Sequence, residues 1–136
     1  MTSVFLETSA LLRLLFREEG ADVVLNRLQR SERVLSSRLL RVECERALLR
    51  LSLDRPEIER LLPNLERELK LFWPKVDFVE VTREICDLAG RIAPRSRLRS
   101  LDAIHLATYY RLRELDPSMQ ILTFDERIKS EVEPVR

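Results

Sequence analysis

Apolar and polar positions along this chain switch between a period of two and a period near 3.6, and the switches mark its elements. Val4, Phe5 and Leu6 form a short apolar run that stops at Glu7. A helical pattern then spans about Ser9 to Glu18, with Thr8 or Ser9 as its cap and Gly20 as its end. A second helix covers roughly Ala21 to Arg30. The run "RVLSS" from Arg33 reads as a strand feeding a helix that starts near Ser37. In "DRPEIERLLPNLERELKLF", Asp54 and Pro56 are start signals and Pro63 is a candidate kink. Ile58, Leu61, Leu62, Leu65, Leu69 and Phe72 make one apolar stripe along that helix.

"VDFVEV" from Val76 alternates as a strand, and Thr82 opens a helix with Ile85, Leu88, Ala89 and Ile92 facing inward. After the basic loop "PRSRLRS", Ser100 caps a helix to about Leu115. "QILTF" from Gln120 is a strand, Asp125 opens a last short helix, and the tail "VEPVR" is a candidate edge strand. Strands alternating with helices, without hairpin turns, predict an α/β domain. Its sheet is parallel and covered on both faces, and its ligand crevice lies at the carboxyl ends of the strands.

Composition narrows this picture. With 136 residues, 45% hydrophobic and 6% aromatic, the chain fits a single domain with an aliphatic core. Charged residues make up 35%, yet the net charge is only +1, so any site for a polyanion must be local. No apolar stretch approaches the roughly 20 residues needed to span a bilayer, and no basic-then-apolar leader opens the chain. A cytoplasmic protein with no membrane partner is expected. Cys44 and Cys86 both fall in helical patterns, without metal-ligand spacing, and are expected to be small core residues.

Several chemistries drop out. Gly20 and Gly90 are the only glycines and neither follows a strand in a Gly-rich loop, which excludes phosphate loops and dinucleotide fingerprints. His105 is the only histidine, so a two-histidine ribonuclease and a multi-histidine zinc site are excluded as well. No Gly-flanked nucleophile turn is present. Carboxylates remain.

Glu7 and Asp125 each follow a predicted strand, in "FLETS" and "ILTFDER", and so point toward one carboxyl-end crevice. Asp102 lies in the first turn of its helix, where an acid also simply complements the helix dipole. Glu43 sits at the edge of the core stripe Leu40, Cys44, Ala47 and Leu51, on the flank of Arg46 and Arg50. Its plain structural reading is an exposed pair with Arg46. Carboxylates brought within about 4 Å repel by roughly 4 kcal/mol per pair at an effective dielectric near 20, so a cluster of them calls for a cation. Hard oxygen ligands alone select Mg²⁺ or Mn²⁺, ions suited to hydrolysing phosphodiesters.

The strand-end acid in "FLETSALLRLL", the helix "SSRLLRVECERA", then "LRSLDAIHLA" and "ILTFDERI", in this order over nearly the whole chain, resemble the PIN domain. At this size they resemble in particular the VapC-type toxins of toxin–antitoxin pairs. The resemblance implies a three-layer α/β/α sandwich around a central parallel sheet, a Mg²⁺-dependent endoribonuclease, a homodimer and an inhibitory VapB-like antitoxin. It carries the family's acids onto Glu43, Asp102 and Asp125 directly. Glu7 takes the place of a usual aspartate and completes a metal set with Asp102 and Asp125. One extra methylene sets two expectations apart: an active enzyme that favours Mn²⁺, or a weakened binding module that keeps antitoxin or RNA recognition.

Ser9 and Thr123 are expected to orient ligands or waters beside the acids. Arg95, Arg97 and Arg99, with Arg46 and Arg50, are candidates for holding RNA phosphates. His105, amid Ile104, Leu106 and Ala107, reads as a satisfied core histidine rather than a base. Val42, Leu49 and Leu53 form a second apolar stripe on the Glu43 helix. The following helix is its expected partner, with dimer or antitoxin contacts as the alternative.

Overall fold

Val4, Phe5 and Leu6 are fully buried, as a strand covered on both faces requires. The computed structural model describes residues 2–132 of the chain. In order they form β1 (Ser3–Leu6), α1 (Thr8–Leu15), α2 (Ala21–Arg30), β2 (Arg33–Ser37), α3 (Leu39–Asp54) and α4 (Pro56–Phe72). A 3₁₀ turn (Trp73–Lys75) leads to β3 (Val76–Val79), α5 (Arg83–Ala89), α6 (Ser100–Leu115), β4 (Gln120–Leu122) and α7 (Glu126–Val132). The four strands form one sheet in the order β3-β2-β1-β4, and every pairing is parallel.

Alternate strand residues serve opposite faces. Val4, Leu6, Val34 and Leu122 join Leu11, Val24, Leu40, Leu48, Leu65 and Leu69 from α1 to α4 in the larger core. Phe5 and Leu35 face the other way, onto Leu106 and Tyr109 of α6 and Met119. The result is the expected three-layer α/β/α arrangement. No helix among the described residues is long and apolar enough to cross a membrane.

The departures from the sequence pattern have local causes. Helix α1 closes at Leu15 rather than near Glu18: Arg17 takes a left-handed φ of 53° and Glu18 N–H returns to the Arg13 carbonyl. Neither Thr8 nor Ser9 caps it, because both hydroxyls are directed at carboxylates. Gly20 does not end α1; it precedes α2 with φ 94°, and a Cβ there would lie 2.8 Å from the Phe124 ring. This close approach seats the α1–α2 turn against the segment that carries Asp125.

Asp54 closes α3 instead of opening α4. Arg55 is extended, as a residue before proline prefers, and Pro56 takes the first helical position. Arg99, not Ser100, is the cap residue of α6. Pro63 lies within α4 without interrupting it. Cys44 is buried as expected, but Cys86 is exposed, because the short helix α5 buries only Ile85 and turns the next residue outward. The second stripe of α3 is not covered by α4 either. Ile58, Leu65 and Leu69 of α4 pack into the core with Leu40, Cys44 and Leu48, leaving Val42 53% and Leu53 86% exposed. Of the tail "VEPVR", Val132 ends α7 and the other four residues lie outside those described.

Candidate active site

Strand β1 pairs with β2 on one side and β4 on the other, so the strand order reverses beside it. In an open parallel sheet, such a reversal opens a crevice outside the carboxyl ends of the strands. Glu7 lies there. Its N–H donates to the Leu122 carbonyl at 3.0 Å, which extends the β1–β4 pairing, and its side chain turns inward with the residue only 4% exposed.

Two hydroxyls hold that side chain. Ser9 Oγ and Thr123 Oγ1 donate to Glu7 Oε1 at 2.5 and 2.6 Å. Each hydroxyl also accepts a backbone N–H, from Phe124 at 2.7 Å and from Asp125 at 3.0 Å. The segment after β4 is therefore tied through two side chains to the acid after β1. Asp125 caps α7, its Oδ1 accepting from Arg127 N at 2.9 Å. The Arg127 guanidinium stands 3.7 Å from the same oxygen.

Glu43 is placed from two directions. Thr8 Oγ1 of α1 donates to its Oε1, and His105 Nε2 of α6 lies 2.5 Å from that same oxygen. Because a carboxylate only accepts, the imidazole nitrogen carries the proton of that bond. Burial pushes the Glu43 carboxyl up, but the hydrogen bond and charge of His105, with the Thr8 hydroxyl, bring it below the usual range. The pair with Arg46 that the sequence suggests does not form. Asp102 Oδ2 accepts from the N–H of Arg99 at 3.4 Å and shares a cleft of about 370 Å³ with Glu43 and Arg99.

Two pairs of acids result: Thr123 ties the Glu7 side chain to the backbone N–H of Asp125, and Glu43 and Asp102 line one cleft. Thr8, the residue after Glu7, joins the pairs by its bond to Glu43. The thiol of Cys44 is pushed up by burial and then by the charges of Glu43, Glu7 and Glu45. Among the described residues, no three His, Cys, Asp or Glu side chains are drawn into one metal-holding group. The donors nonetheless have a common form. Each carboxylate has one oxygen engaged by the protein: Oε1 of Glu7, Oε1 of Glu43, Oδ2 of Asp102 and Oδ1 of Asp125. Among the described residues, the second oxygen of each has no protein hydrogen-bond partner.

Of the predicted phosphate-binding residues, Arg99 lines the Glu43–Asp102 cleft. Arg95 and Arg97 are exposed in the loop before α6, and Arg46 and Arg50 are exposed on α3. None of the five has an acidic partner within ion-pair distance among the described residues. Sequence reasoning missed the work of Thr8 and His105. Thr8 has the signature of a cap, and the partner of His105 is 62 positions away on another helix. A lone histidine three residues after an acid was the available signal.

Fold and site together define an α/β/α domain with Glu7 just past the carboxyl end of β1 in a parallel sheet and Glu43 tied to the neighbouring Thr8. The sequence pattern that defines the PIN domain matches residues 4–132, and the chain belongs to that family. Ribonuclease VapC46 of Mycobacterium tuberculosis is 36% identical to it over 129 residues, 95% of this chain and 89% of that protein. Ribonuclease VapC45 of the same species is 31% identical, covering 94% and 88% of the two chains. Ribonuclease VapC35 is 35% identical, covering 96% and 90%.

Proposed function

We propose that this chain is a Mg²⁺- or Mn²⁺-dependent endoribonuclease toxin of the VapC type, acting in the cytoplasm and silenced by a cognate VapB-like antitoxin. One observation carries the metal reading. Glu7 is a nearly buried carboxylate with hydroxyl donors and no Lys, Arg or His partner among the described residues. A buried charge held only by neutral groups is costly unless a cation completes it. The oxygen donors suit a hard divalent ion, and Mg²⁺ keeps several waters and takes one or two carboxylates directly, so a closed three-carboxylate shell is not required.

Glu7, Asp102 and Asp125 would hold the ion. Bound there, it would lower the pKa of a water and neutralise charge on the reacting phosphate. Glu43, held below the usual carboxylate range, is ionised at neutral pH and orients the attacking water by accepting its hydrogen bond. Arg99 beside the cleft, with Arg95 and Arg97 before it and Arg46 and Arg50 on α3, holds the flanking phosphates. The uncovered Val42, Leu49 and Leu53 offer apolar surface to a second copy or to the antitoxin. An antitoxin arginine reaching the acids would replace the ion.

The test is cleavage of an RNA panel by the purified protein. Cleavage is expected with Mn²⁺, more weakly with Mg²⁺, and none after chelation. Glu7→Asp should raise the Mg²⁺ rate by restoring the shorter side chain. A wild type and a Glu7→Asp variant that are both inert with either metal, yet still bind the antitoxin, would replace the enzyme with a binding module.

A further inference from the structure

We propose that His105 is a positioning residue for Glu43, so that the single helix α6 sets two acids of the site: Asp102 directly and Glu43 through the imidazole. The inference rests on the nuclease reading above for its kinetic consequence, and on geometry for the contact itself. His105 is 0% exposed, so neither substrate nor solvent reaches it. Its side chain makes one hydrogen bond, from Nε2 to Glu43 Oε1. The other ring nitrogen, Nδ1, is enclosed and has no partner, and it is the only such side-chain atom among the described residues.

That pattern is not what packing alone would select. A position that is fully buried would be filled by leucine without an unsatisfied nitrogen. The imidazole leaves that nitrogen unsatisfied while doing one thing, directing a proton at a carboxylate on a different helix. Thr8 donates to the same oxygen, so the two donors fix Glu43 Oε1 from α1 and α6 and leave Oε2 without a protein partner among the described residues. Glu43 and Asp102 line one cleft, and the three-residue spacing from Asp102 to His105 is one helical turn. The enclosed imidazole therefore ties Glu43 of α3 to the helix that carries Asp102.

The experiment compares His105→Leu and His105→Gln. Leucine keeps similar apolar volume and removes the donor, whereas the Gln amide nitrogen stands in for Nε2. For His105→Leu the expected result is a kcat lower by about 10- to 100-fold with KM unchanged, because His105 does not touch RNA. His105→Gln should restore most of that rate. Independently of metal and activity, the His105 Nε2 proton should appear far downfield in the NMR spectrum of the metal-free protein and move upfield in Glu43→Gln, as the charge-assisted bond weakens. An unmoved resonance, a Leu variant turning over at the wild-type rate, or a Gln variant no better than a folded Leu variant would each overturn the proposal. If His105→Leu does not fold, the Gln variant and the resonance decide it. A wild type inert on every RNA would remove the nuclease reading, and the resonance alone would then decide the contact.

Discussion

At the β2–β3 seam each acid meets an arginine, whereas at the β1–β4 seam the acids meet hydroxyls and backbone amides. Asp77 pairs with Arg33 across the strands at 3.0 Å, and Glu80 pairs with Arg38, whose guanidinium also stacks on Phe78. Both pairs are exposed and neutral as units. Glu7, by contrast, is nearly buried and receives the neutral hydroxyls of Ser9 and Thr123 rather than a guanidinium. Asp125 is held mainly as a helix cap, with Arg127 only at 3.7 Å. A carboxylate closed by a guanidinium has little left for a metal. Glu7, held by hydroxyls, has an Oε2 with no protein partner among the described residues, and on the proposed nuclease reading this difference separates structural acids from acids kept for a ligand.

The largest expected effect breaks or upholds that separation directly. Glu7→Gln, Asp102→Asn and Asp125→Asn should each lower Mn²⁺-supported RNA cleavage by about 10- to 100-fold, while Asp77→Asn and Glu80→Gln leave the rate near wild type. Initial rates on one labelled RNA measure all five. An equal loss in Glu80→Gln would mean that the two seams do not differ in function.

A smaller effect concerns stability without metal. Glu7→Gln keeps an acceptor oxygen for Ser9 and Thr123 but removes an uncompensated charge from a nearly buried place. In chelator it should therefore melt higher than wild type, by about 3 °C if about 1 kcal/mol is relieved. Adding Mn²⁺ should raise the melting temperature of the wild type and not of the variant, since only a ligand of the native state stabilises it. Scanning calorimetry with and without Mn²⁺ reads both. A variant that melts lower in chelator would show that the Glu7 charge is already compensated.

How much of this was legible in the sequence follows from where each signal resides. The parallel three-layer fold was legible because "VFL", "RVLSS" and "VDFV" are apolar runs between helical patterns, and a one-dimensional period encodes that. Asp125 as the opening of α7 and Thr82 as the cap of α5 were legible too, since caps are local, and Thr82 Oγ1 does accept from Ile85 N. Helix ends were less so: Phe16 to Glu19 read as helical, yet Arg17 turns left-handed after α1 stops at Leu15, and Gly20 then lies against the Phe124 ring, a contact across the fold. The exposed Cys86 and the uncovered Val42, Leu49 and Leu53 escaped for the same reason, because periodicity shows that a stripe exists but not what covers it. In the site, the acids stood out by residue type and order. What holds them did not, because Thr8 to Glu43 and His105 to Glu43 join three separate helices.

The smallest effects lie in the acid limb of stability, where the two kinds of acid are compared at equal chemistry. Glu80 lies below the usual carboxylate range through its hydrogen bond to Arg38. Glu43 lies below it although burial opposes this, through His105 and then Thr8. A folded-state pKa depressed below the unfolded one contributes stability that is present above the unfolded value and is lost as pH falls through the folded value. Both groups should therefore steepen the loss of stability below an unfolded value of 4.5. Their sizes differ with solvent. The Arg38–Glu80 pair is exposed and screened by salt, so Glu80→Gln should shift the melting temperature by only about 1 °C at neutral pH, and by less as salt is added. Glu43→Gln should flatten the limb visibly, because its partners are buried and less screened. Urea midpoints at about pH 7 and about pH 3, for wild type and both Gln variants, measure the two slopes. Equal slopes for the two variants would mean that burial does not distinguish these acids. A steeper Glu43 contribution that survives added salt would assign it to the enclosed bond with His105.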